Sequence, residues 1–550
     1  MTVDRPADLV FRGGRIATMD PARSWVTALA VRDGRIVAVG SDAAVGPLIG
    51  PRTRVIDVRG RTVTPGFGDA HVHPVHAGLD SLRCDLHGSV GIDYCLATIA
   101  AYASSHPAES WIRGGGWYMG DFAGGAPSRR DLDRIVPDRP AFLASRDGHT
   151  AWVNSKAIEL AGVTGQTIDP KDGRVDRDSD GEPSGTLQEG AIALVERILP
   201  ATSPDDFVAA LRLAQAELLS LGITNWQDAI VAAGEEEHAY TELAEHGELL
   251  GRVVGALWWE RARGAEQIDD LIERRATTTI GRYRATSVKI MQDGVLENFT
   301  GGVLEPYLGP DGRSTSNRGL SQVDPEALKG YVASLDALGF QAHFHAIGER
   351  AVREALDSVE AARRANGMTD TRPHIAHIQV IHPDDLPRFR HLGVVANAQP
   401  YWAWHDPQMD NLTIPFLGAE RASWQYPFRS LRAAGATLAM GSDWGVSTAN
   451  PLLEMEVAVN RVSDHNRGQA PLLPDERIEL IDALAAFTAG TAWVNHLEHE
   501  LGSLEVGKTG DVVVLDRDVF DRSAGAIGEA RVVGTFIDGV AVFEDPALDH

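Results

Sequence analysis

Two hydrophobic patterns divide the chain. Through residues 1–62 short segments alternate apolar and polar side chains, as in DLVFRGGRIATMD, VTALAVRDGRIVAVG and TRVIDVRGRTV, separated by DG and RGR. A period of two broken by turn-forming residues predicts strands joined by hairpins. The pattern returns near the end of the chain in GDVVVLDRD and RVVGTFIDGVAVFED. Residues 1–62 and 498–550 are therefore expected to build one small β-sandwich from both ends of the chain.

Between them, short apolar runs are each followed by a segment of helical periodicity. Eight such runs occur, at 63–73, 222–228, 252–259, 286–293, 339–345, 372–379, 394–399 and 436–443. DPEALKGYVASLDALG and ERAVREALDSVEAARRAN are among the intervening helix candidates. Strands regularly followed by helices predict a parallel sheet, and eight of them a (β/α)8 barrel. The first strand falls in 63–77 and the rest of the barrel in 204–497. The stretch 78–203 is too long for one crossover, so it is read as an insertion with its own strands and helices. The fold class is thus α/β: a TIM-like barrel, a sandwich from both termini, and an insertion after the first barrel strand.

Composition narrows the function. With 51 basic and 77 acidic residues the net charge is −26, and no basic run stands out. That balance argues against nucleic acid or an anionic membrane as a partner and leaves a small-molecule substrate. Only Cys84 and Cys95 occur, too few for a disulfide framework or a cysteine zinc site. The N-terminal MTVDRPADLVFRGG lacks an apolar signal core, so a cytoplasmic protein is expected. A homodimer is the expected assembly, as symmetric dimers dominate among soluble oligomers.

The chemistry gathers at the carboxyl ends of the barrel strands, where such barrels place their active sites. VTPGFGDAHVHP ends the first run with His71 and His73, two apart and so on one strand face. The fourth run offers Lys289, the fifth His345, the sixth His377 and the eighth Asp443. His343 shares a face with His345, and His374 and His382 compete with His377; the strand-end positions favour His345 and His377. Asp443, in MGSDWG, could instead cap a helix. Lys289 can serve a metal only if its amine is carbamylated to a carboxylate that bridges two ions. Otherwise it is a buried or ion-paired lysine.

The order HxH, Lys, His, His, Asp resembles the amidohydrolase superfamily. TPGFGDAHVHP, RDGHTAWVNSKAI, GEPSGTLQE, LGITNWQDA, VKIMQDG, HAIGERAV, AHIQ, AQPYW, GSDWGVSTANP and GSLEVGKTGDVVVLD are similar to its amidohydrolase-3, or YtcJ-like, branch. Within that branch, length and layout are most similar to the N-substituted formamide deformylases. The resemblance implies a divalent metal, zinc foremost, as one or two ions held by His71, His73, His345, His377 and carbamylated Lys289. Asp443 would be both ligand and general base. It also makes His149 a candidate to hold the substrate carbonyl. One departure is Glu349 in HAIGERA, where the family often has Asp; here it reads as a first-turn residue complementing the helix dipole.

The expected reaction is hydrolysis of a C–N bond by metal-activated water. Asp147 and His149 in RDGH, Trp117 and Tyr118 after GGG, and Trp402 and Trp404 after the seventh strand are the candidate substrate residues. Together with Trp444 these aromatics point to an apolar or aromatic substrate group. ENFTGG, with Phe299, Thr300, Gly301 and Gly302, reads as a mobile lid. A heterocycle deaminase is the alternative. Deaminases of the superfamily commonly carry an acid soon after the fifth-strand histidine; here the first acid is Glu349, four residues on and already in a helix, which argues against that reading. A metal-free scaffold would show gaps among the ligands, and all six positions are filled.

Overall fold

The computed structural model describes residues 5–521, 523 and 525–548. Residues 1–4, 522, 524 and 549–550, inside the two stretches expected to form the sandwich, lie outside the described residues. Eight strands form one parallel sheet in sequence order: β1 (Phe67–Val72), β2 (Ile223–Val231), β3 (Arg252–Trp258), β4 (Tyr283–Met291), β5 (Gln341–Ala346), β6 (His374–His377), β7 (Val395–Ala398) and β8 (Thr437–Met440). Each overlaps one of the eight apolar runs. Helices intervene: α1 (Pro204–Ser220), α2 (Pro325–Ala337) and α3 (Glu349–Asn366). The Ser203 hydroxyl accepts from the Asp206 amide, and the Asp206 carboxylate accepts from the Ser203 amide, a capping box that starts α1. In α3, Ala351, Val352, Ala355, Leu356, Val359 and Ala362 are buried, the stripe that helical spacing turns toward the sheet.

β1 and β8 are joined beyond their ladders. The Asp443 amide donates to the His71 carbonyl at 2.7 Å, and the His73 amide to the Trp444 carbonyl at 2.5 Å. Asp69 Oδ1 accepts from the His71 and Ser442 amides, each at 3.0 Å. Buried backbone donors need acceptors, and these contacts lock the two strand ends that carry His71, His73 and Asp443.

Two antiparallel-rich sheets stand apart from the barrel. One orders Arg35–Gly40, Ala28–Arg32, Leu9–Arg12 and Arg54–Asp57; the other orders Val540–Glu544, Val532–Ile537, Val512–Leu515, Thr62–Pro65, Arg15–Ala17 and Trp25–Val26. Phe11 from the first and Phe536 from the second meet edge to face at 5.0 Å between centroids, in a core fed by both ends of the chain. A further six-stranded sheet runs through Gly173–Arg177, Pro183–Glu189, Thr150–Val153, Ala141–Ser145, Ile112–Trp117 and Cys84–Asp85, between β1 and β2 in sequence. Among the described residues no helix is long and apolar enough to cross a membrane.

Candidate metal centre

His71 and His73 project from the end of β1 toward one carboxylate. Asp443 Oδ1 lies 3.2 Å from His71 Nε2 and 3.1 Å from His73 Nε2, and these three donor atoms fall within 4.8 Å of one another. Asp443 has φ +57° and His377 φ +71°, left-handed conformations that side chains adopt rarely and that recur where a backbone is bent to aim a functional group. His377 Nδ1 is 3.8 Å from Asp443 Oδ2, and its ring centroid lies 4.7 Å from that of His71 and 4.4 Å from that of His345. Lys289 Nζ approaches His71 Nε2 at 3.4 Å. All six groups line one cavity of about 720 Å³, measured out to its mouth.

The donor set fits a divalent cation. Burial drives the imidazoles of His71, His345 and His377 well below their ordinary range, so they stand neutral with lone pairs to offer. Burial also lowers His73, although the Asp443 carboxylate opposes it, and His73 Nδ1 is buried with no hydrogen-bond partner. Burial pulls the Lys289 amine down to about 7, toward the unprotonated form that carbamylation requires.

The competing histidines lie elsewhere. His343 sits beneath the cavity against His71, and His374 against His343. His382 packs on Trp424, where its Nδ1 accepts from the Asp384 amide at 3.2 Å. None of the three lines the cavity. Glu349 opens α3, is fully buried and accepts from the Leu304 amide at 3.0 Å, also off the cavity wall.

The insertion supplies a second group of polar residues. His149 is on the cavity wall, its ring 5.2 Å from that of His345, and its Nδ1 is 2.9 Å from Glu189 Oε1. Burial works against a charge there, but the Glu189 carboxylate outweighs it and raises His149 to about 9. Glu189 accepts the Thr300 hydroxyl at 2.8 Å and has φ +51°. A Cβ at Gly294 would stand 2.0 Å from Thr300 Oγ1 and 2.3 Å from Glu189 Oε1, so that glycine makes room for the hydroxyl–carboxylate pair. Sequence reasoning missed Glu189: it ends GEPSGTLQE, but no spacing ties it to a histidine 40 residues earlier. Asp147 is also on the wall, its Oδ1 accepting from the His149 amide at 3.1 Å.

Of the aromatic candidates, Trp402 lines the cavity and the others do not. Trp117 is 1% exposed, packs edge to face on Phe122 and Trp152, and donates its indole N–H to the Leu143 carbonyl. It belongs to the insertion's core. Tyr118 is occupied by Asp406, to which its hydroxyl donates at 2.7 Å, and Trp404 packs, as Trp402 does, against the barrel's main apolar layer but, unlike Trp402, does not reach the cavity. Trp444 likewise packs on that layer. The wall's apolar part is instead Ile230, Met291, Val295, Ile347, Tyr426 and Val446, joined by the acid Glu297.

The expected lid is corrected too. Thr300, Gly301 and Gly302 are buried, and the Gly302 amide donates to Asp293 Oδ2 at 2.8 Å. A Cβ at Gly319 would stand 1.8 Å from the Gly301 carbonyl oxygen, and one at Gly348 2.1 Å from that of Gly302. The glycines serve close backbone packing there. Asp293 also accepts the Ile347 and Gly348 amides, at 3.0 and 2.9 Å, tying the ends of β4 and β5 to this segment.

The sequence profile described as the amidohydrolase family matches residues 54–543. The protein LONG AFTER FAR-RED 3 of Arabidopsis thaliana is 32% identical, over 98% of this chain and 92% of its own. The N-substituted formamide deformylase of Arthrobacter pascens is 28% identical over 98% of each. Among solved structures, an uncharacterized metal-dependent hydrolase from Pyrococcus horikoshii superposes with a TM-score of 0.72 at 25% identity, covering 95% of this chain and 99% of that one.

Proposed function

The chain belongs to the amidohydrolase family and is a metal-dependent C–N hydrolase, and from that premise we propose that it cleaves a small, hydrophobic N-substituted amide, with N-substituted formamides the sharpest case. The observation that carries the reading is the convergence of His71, His73 and Asp443 on the same cavity wall as His149. A divalent metal, zinc foremost, would be held by His71, His73, His345, His377 and Asp443, and by Lys289 once carbamylated. When bound, it supplies an activated water and polarises the scissile carbonyl.

The protein's own groups do the rest. Asp443 Oδ2 takes the proton of the attacking water and delivers it to the leaving nitrogen, the step a C–N bond needs most because an amide anion leaves poorly. Such transfer contributes about 10²–10⁴-fold. His149, held through Nδ1 by Glu189, turns its other ring nitrogen to the carbonyl oxygen and steadies the charge that develops there. Trp402, Met291, Val295 and Ile347 take the N-substituent and exclude water. The position of Glu349 in α3, off the cavity wall, agrees with the sequence argument against a deaminase, although Glu297 keeps one acid on that wall.

The test is product detection by mass spectrometry with zinc-loaded protein on N-benzylformamide, longer N-acyl amines, aryl ureas and aminated heterocycles. Formate with free benzylamine is the expected outcome. Ammonia released from a heterocycle, with the amides untouched, would replace the reading with a deaminase.

A further inference from the structure

Beneath the cavity the barrel interior holds a column of imidazoles in place of the branched apolar side chains that usually fill such a core. His343 Nε2 lies 2.8 Å from His71 Nδ1, with both side chains fully buried. The strand register sets this up: His343 stands opposite Lys289 on β4 and opposite His374 on β6, so all three enter the barrel in one layer. The His343 and His374 rings pack at 4.0 Å between centroids. His374 Nδ1 lies 3.0 Å from the Asn397 side-chain amide, which also donates to the Ala70 carbonyl at 2.8 Å. The column starts at the ring of His71 and returns to the backbone beside it.

We infer that His343 is a positioning residue that fixes the orientation and tautomer of His71 so that Nε2 presents its lone pair to the metal. A hydrogen bond between two imidazole nitrogens needs one N–H and one lone pair. With the hydrogen on His71 Nδ1, His343 Nε2 accepts it, and His71 Nε2 is free on the side where Asp443 and Lys289 stand. A ligating imidazole is oriented through its second nitrogen, and the partner there is a carboxylate, carbonyl or water in most sites; here it is another histidine. His343 Nδ1 has no hydrogen-bond partner, so its contact with His71 is the polar interaction that accounts for an imidazole at this place.

The inference rests on His71 being a metal ligand, and the experiment separates the two. Zinc affinity and stoichiometry are measured by competition with a chromophoric chelator on the full-length wild type, His71→Ala, His343→Leu and His343→Gln. His343→Leu should bind zinc about 10–100-fold more weakly at unchanged stoichiometry. His343→Gln, whose amide reaches the place of Nε2, should stay within a few-fold of wild type. Unchanged affinity in His343→Leu overturns the inference, and so does loss of a whole zinc equivalent, which would make His343 a ligand. Wild-type affinity in His71→Ala overturns the ligand reading and the inference with it. If circular dichroism finds His343→Leu unfolded, His343→Asn takes its place: too short to reach His71, it should bind more weakly than His343→Gln, and equal affinities count against the inference.

Discussion

Glu189 Oε1 lies 2.9 Å from Nδ1 of His149, and the two residues come from neighbouring strand segments of the insertion rather than from the barrel. The pair brings a buried, charge-assisted hydrogen bond to the edge of the metal cavity. Its carboxylate is held in turn by the Thr300 hydroxyl from the loop after β4. Insertion and barrel thus complete one site between them.

Glu189→Gln keeps the shape but removes the charge that holds His149. A hydrogen bond to a charged group contributes about 1.5–3 kcal/mol, roughly 10- to 150-fold in rate. We expect kcat to fall by that factor on whichever panel substrate the protein hydrolyses, with zinc content unchanged. Gly294→Ala, which forces a methyl group against both Thr300 Oγ1 and Glu189 Oε1, should also lower kcat. Wild-type kcat in both variants would remove His149 from the reaction.

Lys289→Ala tests the carbamylated ligand. Bound metal per chain and activity should both drop, and a short carboxylate such as propionate should restore part of each by entering the space left. Full activity with full metal content in this variant would make Lys289 a buried structural lysine.

The two tryptophans should part company. Trp402→Ala enlarges the cavity wall, so KM for an aromatic N-substituent should rise, with a smaller fall in the thermal midpoint than Trp117→Ala because Trp402 is only partly buried. Trp117→Ala removes a fully buried indole and should cost about 3–5 kcal/mol of stability. Steady-state kinetics beside thermal unfolding distinguishes them; a raised KM in a stable Trp117→Ala would put that residue back at the site.

A pH dependence follows from Asp336 in α2. Burial opposes its charge, but the Thr369 and Thr371 hydroxyls, the Asn366 amide and the Arg363 guanidinium outweigh burial and hold the carboxyl below its ordinary 3.8. A folded pKa below the unfolded one gives stability that is present above the ordinary value and lost as pH falls through the lowered one. Asp336→Asn should therefore lower stability at pH 7 by about 1–3 kcal/mol. The gap in thermal midpoint between variant and wild type should narrow as the pH is taken below 4. A gap that does not change with pH would mean the charge is not what stabilises this junction.

The barrel was legible because period carries topology. Apolar runs at β1 through β8, separated by helical stripes such as the one in α3, leave few arrangements other than parallel strands with crossovers. The candidate ligands were legible for the same reason: the carboxyl end of a barrel strand is a place that can be named from the chain alone, and His71, His73, Lys289, His345, His377 and Asp443 all occupy it. Side-chain direction in the insertion and in the loops beyond the strands was not legible. Trp117 and Trp402 are the same residue type beside comparable turns, yet one fills a core and the other a cavity wall, because that depends on which face of a neighbouring sheet covers them. ENFTGG looked mobile from its glycines, whereas the approach of Gly319 and Gly348 makes them packing residues. The pairings of Glu189 with His149 and of His343 with His71 join segments 40 and 272 residues apart. Local sequence sets the period and the strand ends; only the closed barrel, with the insertion folded against its mouth, brings such distant groups within hydrogen-bond reach.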